Sequence, residues 1–242
     1  MVGTKKGKVT GTKTGRVTET TENYLSSIYK LLEEGEKTTP AQIAEYIKLL
    51  PKAEGLGTSL PSVIAMLRRL EREGLVHFTP TKETELTEKG NSLAEDIVRR
   101  HRLAECMVVS LLGVELHLAC VEGHRLEHAI TPNLQRKIQG VLGNPTTCPF
   151  GGPIPGSGYK PPSNGFTTLA LGSVGLDYVV VRIPEEDPAL LQFLVDRKVL
   201  PGAKLNIVDA GRYRGVLVFT TNDEEIAIGY KVAERIRISL IS

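Results

Sequence analysis

The sequence predicts a mainly α-helical chain that ends in a small β domain. Three observations predict it. Apolar residues recur at helical spacing from Thr18 to Leu142. A segment dense in proline and glycine, Gly143–Gly165, then breaks that pattern. From Phe166 onward the chain turns to short β-branched runs separated by Gly, Asp and Pro. The 242 residues leave room for two or three domains. With 40% hydrophobic residues, 5% aromatic residues and no Trp, the cores must be built from Leu, Ile, Val and Ala.

The first helix opens at Thr18–Glu22, with Thr21 as a candidate cap and Leu25, Ile28, Leu31 and Leu32 on one stripe; Gly35 ends it. A second follows Pro40 and turns Ile43, Ala44 and Ile47 inward. After a Pro/Gly break, Leu50–Thr58, a third begins near Ser59 with Pro61 in its first turn, where proline is tolerated. It buries Val63, Ile64, Leu67 and Leu70 and stops at Gly74. Leu75–Thr79 and Glu85–Thr87 can pair as a short hairpin. Helix, helix, turn, helix and hairpin is the pattern of a winged helix-turn-helix.

Gly90–Leu112 reads as one long amphipathic helix, Leu116–Ala129 as another and Pro132–Leu142 as a third. After the Pro/Gly segment come five strand-like runs: Tyr178–Ile183, Lys204–Ala210, Gly215–Thr221, Glu225–Gly229 and Arg235–Leu240. A short helix, Asp187–Arg197, interrupts them. Short strands so closely spaced predict a small barrel or sandwich.

The formal net charge of +2 identifies no partner, but residues 1–17 carry five basic residues and no acid, a basic arm suited to phosphates or to solvent. Three cysteines, none in a C-x-x-C pair, argue against a disulfide framework and for a reducing compartment. No 18-residue apolar run is present and the N-terminus has no apolar core of a secretory signal, so a cytoplasmic location is expected.

The chemistry concentrates in "EGHRLEHAI", Glu122–Ile130. His124, Glu127 and His128 share one helical face, a start for a transition-metal site. Upstream, His101 and Glu105 in "RRHRLAE" repeat the spacing, and Cys120 lies one turn before His124. An isolated i, i+4 His/Glu pair is usually a surface pair, but two such groups in a chain with five His favour metal. His124-x-x-Glu127-His128 also matches the H-x-x-E-H signature of a class of metallopeptidases. A peptidase needs a large cleft and a distant third ligand, so this is the remote alternative. A metal-independent DNA-binding protein and a metal buffer are the competing non-enzymes.

From about Thr20 onward the chain resembles the diphtheria-toxin-repressor and iron-dependent-regulator family, whose sister branch is the manganese transport regulators. The strings that carry this are "TTENYLSSIYKLLEEG", "RRLEREGLV", "RRHRLAE", "GHRLEHAIT" and "GNPTTCPFGGPIPG". The resemblance implies a non-enzymatic, metal-dependent repressor that binds double-stranded operator DNA as a homodimer, with two dimers on one operator as a further expectation. It implies a winged helix at 18–89, a helical metal-binding and dimerisation domain at 90–157, a linker at 158–165 and an SH3-like domain at 166–242. It carries a primary site onto Asn23, His124, Glu127 and His128, and an ancillary site onto His101, Glu105, Cys120 and Asp187 or its neighbour Glu186. The expected ion is Fe²⁺, with Mn²⁺ as the alternative and Zn²⁺ or Co²⁺ as substitutes in vitro. Ser59, Pro61, Ser62, Arg68, Arg69 and Lys82 are the implied DNA contacts. The chain departs from the family in having Asn23 where Met or Asp is usual, Cys120 where a His is expected, and about ten extra residues at Lys48–Thr58.

Overall fold

The computed structural model describes residues 17–50 and 56–241. The basic arm, apart from its last residue, and the middle of the Lys48–Thr58 insertion lie outside them. Helix α1 (Glu19–Glu33) is capped by Thr18, whose hydroxyl accepts the Thr21 amide at 3.3 Å. Thr21 is therefore not the cap; it lies inside the first turn and is buried. α2 (Pro40–Ile47) and α3 (Leu60–Arg72) start in the same way, at Thr39 and Ser59, each with Pro in the first turn. Tyr24, Leu25, Ile28, Ile43, Ile47, Val63, Leu67 and Leu70 form their common core. Leu32 is exposed and Ile64 only half-buried, because each lies at the edge of its helix stripe. The wing follows as β1 (Val76–Phe78) paired antiparallel with β2 (Thr84–Leu86).

α4 (Glu88–Ser110) is the shaft of the molecule. Its first turns pack on the reader core through Ala94, and its later turns on a second core through Leu103, Ala104 and Val108. A Cβ on Gly90 would stand 1.9 Å from the Leu75 carbonyl oxygen, so glycine lets the shaft abut the wing. The Leu116–Ala129 helix is split into a 3-10 turn, Leu116–Leu118, and α5 (Ala119–Glu127), with His128 just past its end. Gly123 lets α5 lie against α4, since a Cβ there would be 3.0 Å from Glu105 Cγ. α6 (Pro132–Val141) completes the helical module.

The β domain is one antiparallel sheet in the order β3-β8-β4-β5-β6-β7. Its strands are β3 (Thr167–Thr168), β4 (Asp177–Arg182), β5 (Lys204–Asp209), β6 (Val216–Thr221), β7 (Glu224–Gly229) and β8 (Arg237–Leu240), with helices α7 (Pro188–Asp196) and α8 (Tyr230–Ala233) in the connections. β3 is too short to read from periodicity. The β domain does not hang free on its linker. Its core is continuous with that of the helical module through Phe150, Ile154 and Ile183. The Ile183 amide donates to the Phe150 carbonyl, and a Cβ on Gly151 would stand 2.0 Å from the Val181 carbonyl oxygen. The Pro/Gly segment is thus a packed bracket between module and sheet.

Candidate metal centre

Three helices meet here: α1 supplies Asn23 and, beside it, Glu22; α4 supplies His101 and Glu105; and α5 with the residue after it supplies Cys120, His124, Glu127 and His128. Glu127 is the hub. Its Oε1 lies 2.9 Å from His124 Nδ1 and 3.3 Å from His128 Nε2, and its Oε2 lies 2.6 Å from His101 Nδ1. The rings of His101 and His124, and of His124 and His128, have centroids 5.8 Å apart. The spacing on α5 aims His124 and Glu127 inward together, and His128, four residues after His124 and still in the αR region, falls beside them.

His101 does not belong to one group alone. Its Nε2 lies 3.0 Å from Glu105 Oε1 and 3.8 Å from Cys120 Sγ, so it joins the Glu127 group to a Glu105 and Cys120 group. The family resemblance assigned His101 only to the latter. From α1, Glu22 was missed. Its Oε2 meets His128 Nδ1 at 2.6 Å, while its Oε1 accepts from Arg100 at 2.8 Å. Asn23 is buried on the same turn. Glu22 stands next to Asn23 in "TTEN", but a first-turn acid reads as an ordinary helix-dipole residue.

The charges are mutually set. Burial would raise the Glu127 carboxyl, but His101 and His124 outweigh it and hold Glu127 far below the usual carboxylate range. Burial and the nearby Lys30 oppose charge on His101, but Glu105 and Glu127 outweigh them and hold its pKa well above the ordinary imidazole value. For Glu22, burial is overcome by hydrogen bonds from His128 and Arg100, and its pKa falls. Burial pushes the Cys120 thiol up to about 12 against the pull of His101.

The donors fit a divalent first-row ion. Imidazoles and carboxylates converge, and such ions take N and O donors of this kind. One ligand atom each of His101, His124 and Glu127 lie within 4.8 Å of one another, and all three side chains are buried. Replacing ring protons by a cation would release them to solvent.

Asp187 does not join this centre. Its carboxylate caps α7, accepting the Leu190 amide at 3.0 Å. Its neighbour Glu186 accepts from the Tyr46 hydroxyl at 2.7 Å. The β-domain residue that reaches the inner cluster is Glu185, which is buried and paired with Lys30 of α1. The resemblance pointed to Asp187 or Glu186, one or two residues past the acid that is buried beside Lys30. His117 sits half-exposed in the 3-10 turn, outside each group of candidate ligands among the described residues.

At the reader, Ser59, Pro61 and Ser62 are exposed at the start of α3, with the Ser59 hydroxyl accepting the Ser62 amide at 3.3 Å. Helix N-termini of this kind present amides to phosphate. Arg68 is exposed in the second half of the helix, and Arg69 pairs with Glu73 at 2.8 Å on the solvent face. Lys82 is exposed at the wing tip in the left-handed region, φ 63°.

Fold and site together are those of a DNA-binding regulator with a buried His/Glu cluster where its reader meets the helical module. Residues 16–83 match the model of the iron dependent repressor N-terminal DNA-binding domain. Residues 87–156 match its metal binding and dimerisation domain, and residues 167–240 match the FeoA domain, the SH3-like β domain. The chain is 34% identical to the iron-dependent repressor IdeR of Mycobacterium tuberculosis over 92% of its own length and 98% of the relative. It is 30% identical to the diphtheria toxin repressor of Corynebacterium diphtheriae, covering 91% and 96%. Among solved structures, a manganese-dependent transcriptional repressor in complex with manganese superposes with a TM-score of 0.80 at 26% identity, covering 91% of this chain and all of that one. The manganese regulator SloR superposes at 0.75 with 28% identity, covering 93% and 100%. The chain belongs to the iron-dependent repressor family of metal-responsive, DNA-binding transcriptional regulators.

Proposed function

We propose that this chain represses transcription in the cytoplasm by binding operator DNA as a homodimer when Fe²⁺ fills the centre of His124, Glu127, His128 and Asn23, with Glu22 and His101 beside them. One observation carries the reading. Glu22 of the reader's first helix contacts His128 of the dimerisation module at 2.6 Å, so the centre lies on the joint between the two. A divalent ion held there supplies positive charge shared by donors on both sides of the joint. Glu22 and Asn23 fix where α1 lies, and Arg100 holds Glu22 while donating to the Glu127 carbonyl at 3.1 Å. Exposed Leu111, Leu112, Leu118, Leu134 and Val141 give the module an apolar face for a second copy. Ser59, Pro61, Ser62, Arg68 and Lys82 are offered to DNA, and Arg69 joins them if phosphate displaces Glu73. Two recognition helices serve successive major grooves only at one joint angle. Ligand that binds this arrangement better shifts the population toward it. A coupling of about 2 kcal/mol changes operator affinity about 30-fold. A longer operator takes two dimers.

Manganese is the second reading, and Glu22 favours it. Its carboxylate adds a hard oxygen donor that Asn23 alone does not provide, and hard donors suit Mn²⁺. The test is operator binding titrated anaerobically with Fe²⁺, Mn²⁺ and Zn²⁺ in parallel. His128→Ala is expected to abolish metal-dependent binding while the dimer stays folded. Equal operator affinity of the wild type with and without metal refutes the proposal.

A further inference from the structure

The β domain also meets the reader directly. Between α1 and α2 on one side and the turns after β4 and α8 on the other lies a cavity of about 380 Å³. That is the size of a small-molecule site, and such sites favour domain interfaces. Part of its wall is apolar, built from Leu31, Leu49, Ile183, Pro184 and Tyr46. Leu31, Ile183 and Pro184 are buried, Tyr46 is half-buried and Leu49 is 48% exposed, so the cavity opens to solvent beside Leu49.

The charges of the wall do not balance. Each of its four bases already has an acid: Lys30 pairs with Glu185, Arg182 with Glu33 and Glu34, Arg237 with Glu34, and Arg235 with Glu186 at 3.6 Å. Glu45 pairs with Lys48. Glu36 and Glu234 also line the cavity; they are exposed and carry no ion pair among the described residues. The uncommitted charge at the mouth is therefore negative, next to an aromatic ring and aliphatic side chains.

We propose that this cavity binds a small organic cation, an amine, amidinium or guanidinium carried on an apolar body, which bridges the reader and the β domain. The apolar body replaces water against Leu31, Ile183 and Pro184. The positive group is attracted by the Glu36 and Glu234 carboxylates and by the Tyr46 ring. An anion would meet the same carboxylates and find no uncommitted base. A ligand that touches both domains favours the arrangement in which they are docked. The site goes beyond the repression proposed above, which uses none of these residues.

The test is calorimetric titration of the full chain with benzamidine as the probe, benzamide as its neutral counterpart and benzoate as its anionic one. Benzamidine should bind with one molecule per chain and more tightly than benzamide, and benzoate should not bind. The double variant Glu36→Gln/Glu234→Gln changes two exposed residues and should weaken benzamidine about 5-fold, as expected for two surface charges. Leu49→Arg places a cation at the mouth and should abolish binding. His128→Ala should bind benzamidine as the wild type does. Benzamidine binding no tighter than benzamide, or binding unchanged in either the double variant or Leu49→Arg, overturns the site and leaves the proposed repression standing. Binding lost in His128→Ala overturns it as well, because the amidinium would then occupy the metal centre.

Discussion

Replacing Glu33 by Ala should loosen all three parts of the molecule at once. Glu33 ends α1, and its carboxylate is shared by Arg102 of α4, at 2.9 and 2.5 Å, and Arg182 of β4, at 2.7 Å. The Arg102 side chain is wholly buried. Without Glu33, Arg182 keeps Glu34 at 2.9 Å, but Arg102 keeps no carboxylate within reach of its two terminal nitrogens among the described residues and relies on the Pro153 carbonyl. Removing one partner of a buried pair costs about 3–5 kcal/mol. The Glu33 side chain is 18% exposed, so the lower end, about 3 kcal/mol, applies. At about 2–4 °C per kcal/mol for a chain of this size, the unfolding midpoint should fall by about 6–12 °C. Thermal and urea unfolding followed by circular dichroism measure this. The double variant Glu33→Ala/Arg102→Met should recover much of the loss, since an apolar replacement leaves no stranded charge. A loss below about 1 kcal/mol, as for a surface pair, or a double variant no more stable than the single one, would refute the reasoning.

Two further outcomes follow from the same contacts and packing. Burial raises the Glu33 carboxyl, but Arg102 and Arg182 outweigh it and its folded pKa lies below the ordinary 4.5. Its contribution is therefore complete above that value and is lost as pH falls through the depressed one. Stability of the wild type should drop in that acid window, and the Glu33→Ala variant should show a shallower drop in parallel urea titrations. Gly90→Ala drives a Cβ into the Leu75 carbonyl, 1.9 Å away, and should cost about 1–3 kcal/mol or more by overpacking. A wild-type urea midpoint for Gly90→Ala would show that the shaft and wing are not in tight contact.

The local elements were legible in the sequence because they depend on neighbours along the chain. The stripe Leu25, Ile28, Leu31 marks α1, the alternation in Val216–Thr221 marks β6, and Pro61 after Ser59 marks the start of α3. The His124, Glu127 and His128 face was legible for the same reason, since a helix turn sets which side chains coincide. What lay beyond sequence is which faces meet. Glu22 and Asn23 are adjacent, and only the packing of α1 and α5 on α4 decides that Glu22 reaches His128. Asp187, Glu186 and Glu185 are equal candidates by counting. The turn after β4 makes one a helix cap, turns one to Tyr46 and buries one beside Lys30. Cys148 is a single residue in a Pro/Gly segment until that segment folds onto Glu105. Periodicity acts over a few residues, whereas these placements are set by how helices and sheet pack across long gaps, such as the 155 positions between Lys30 and Glu185.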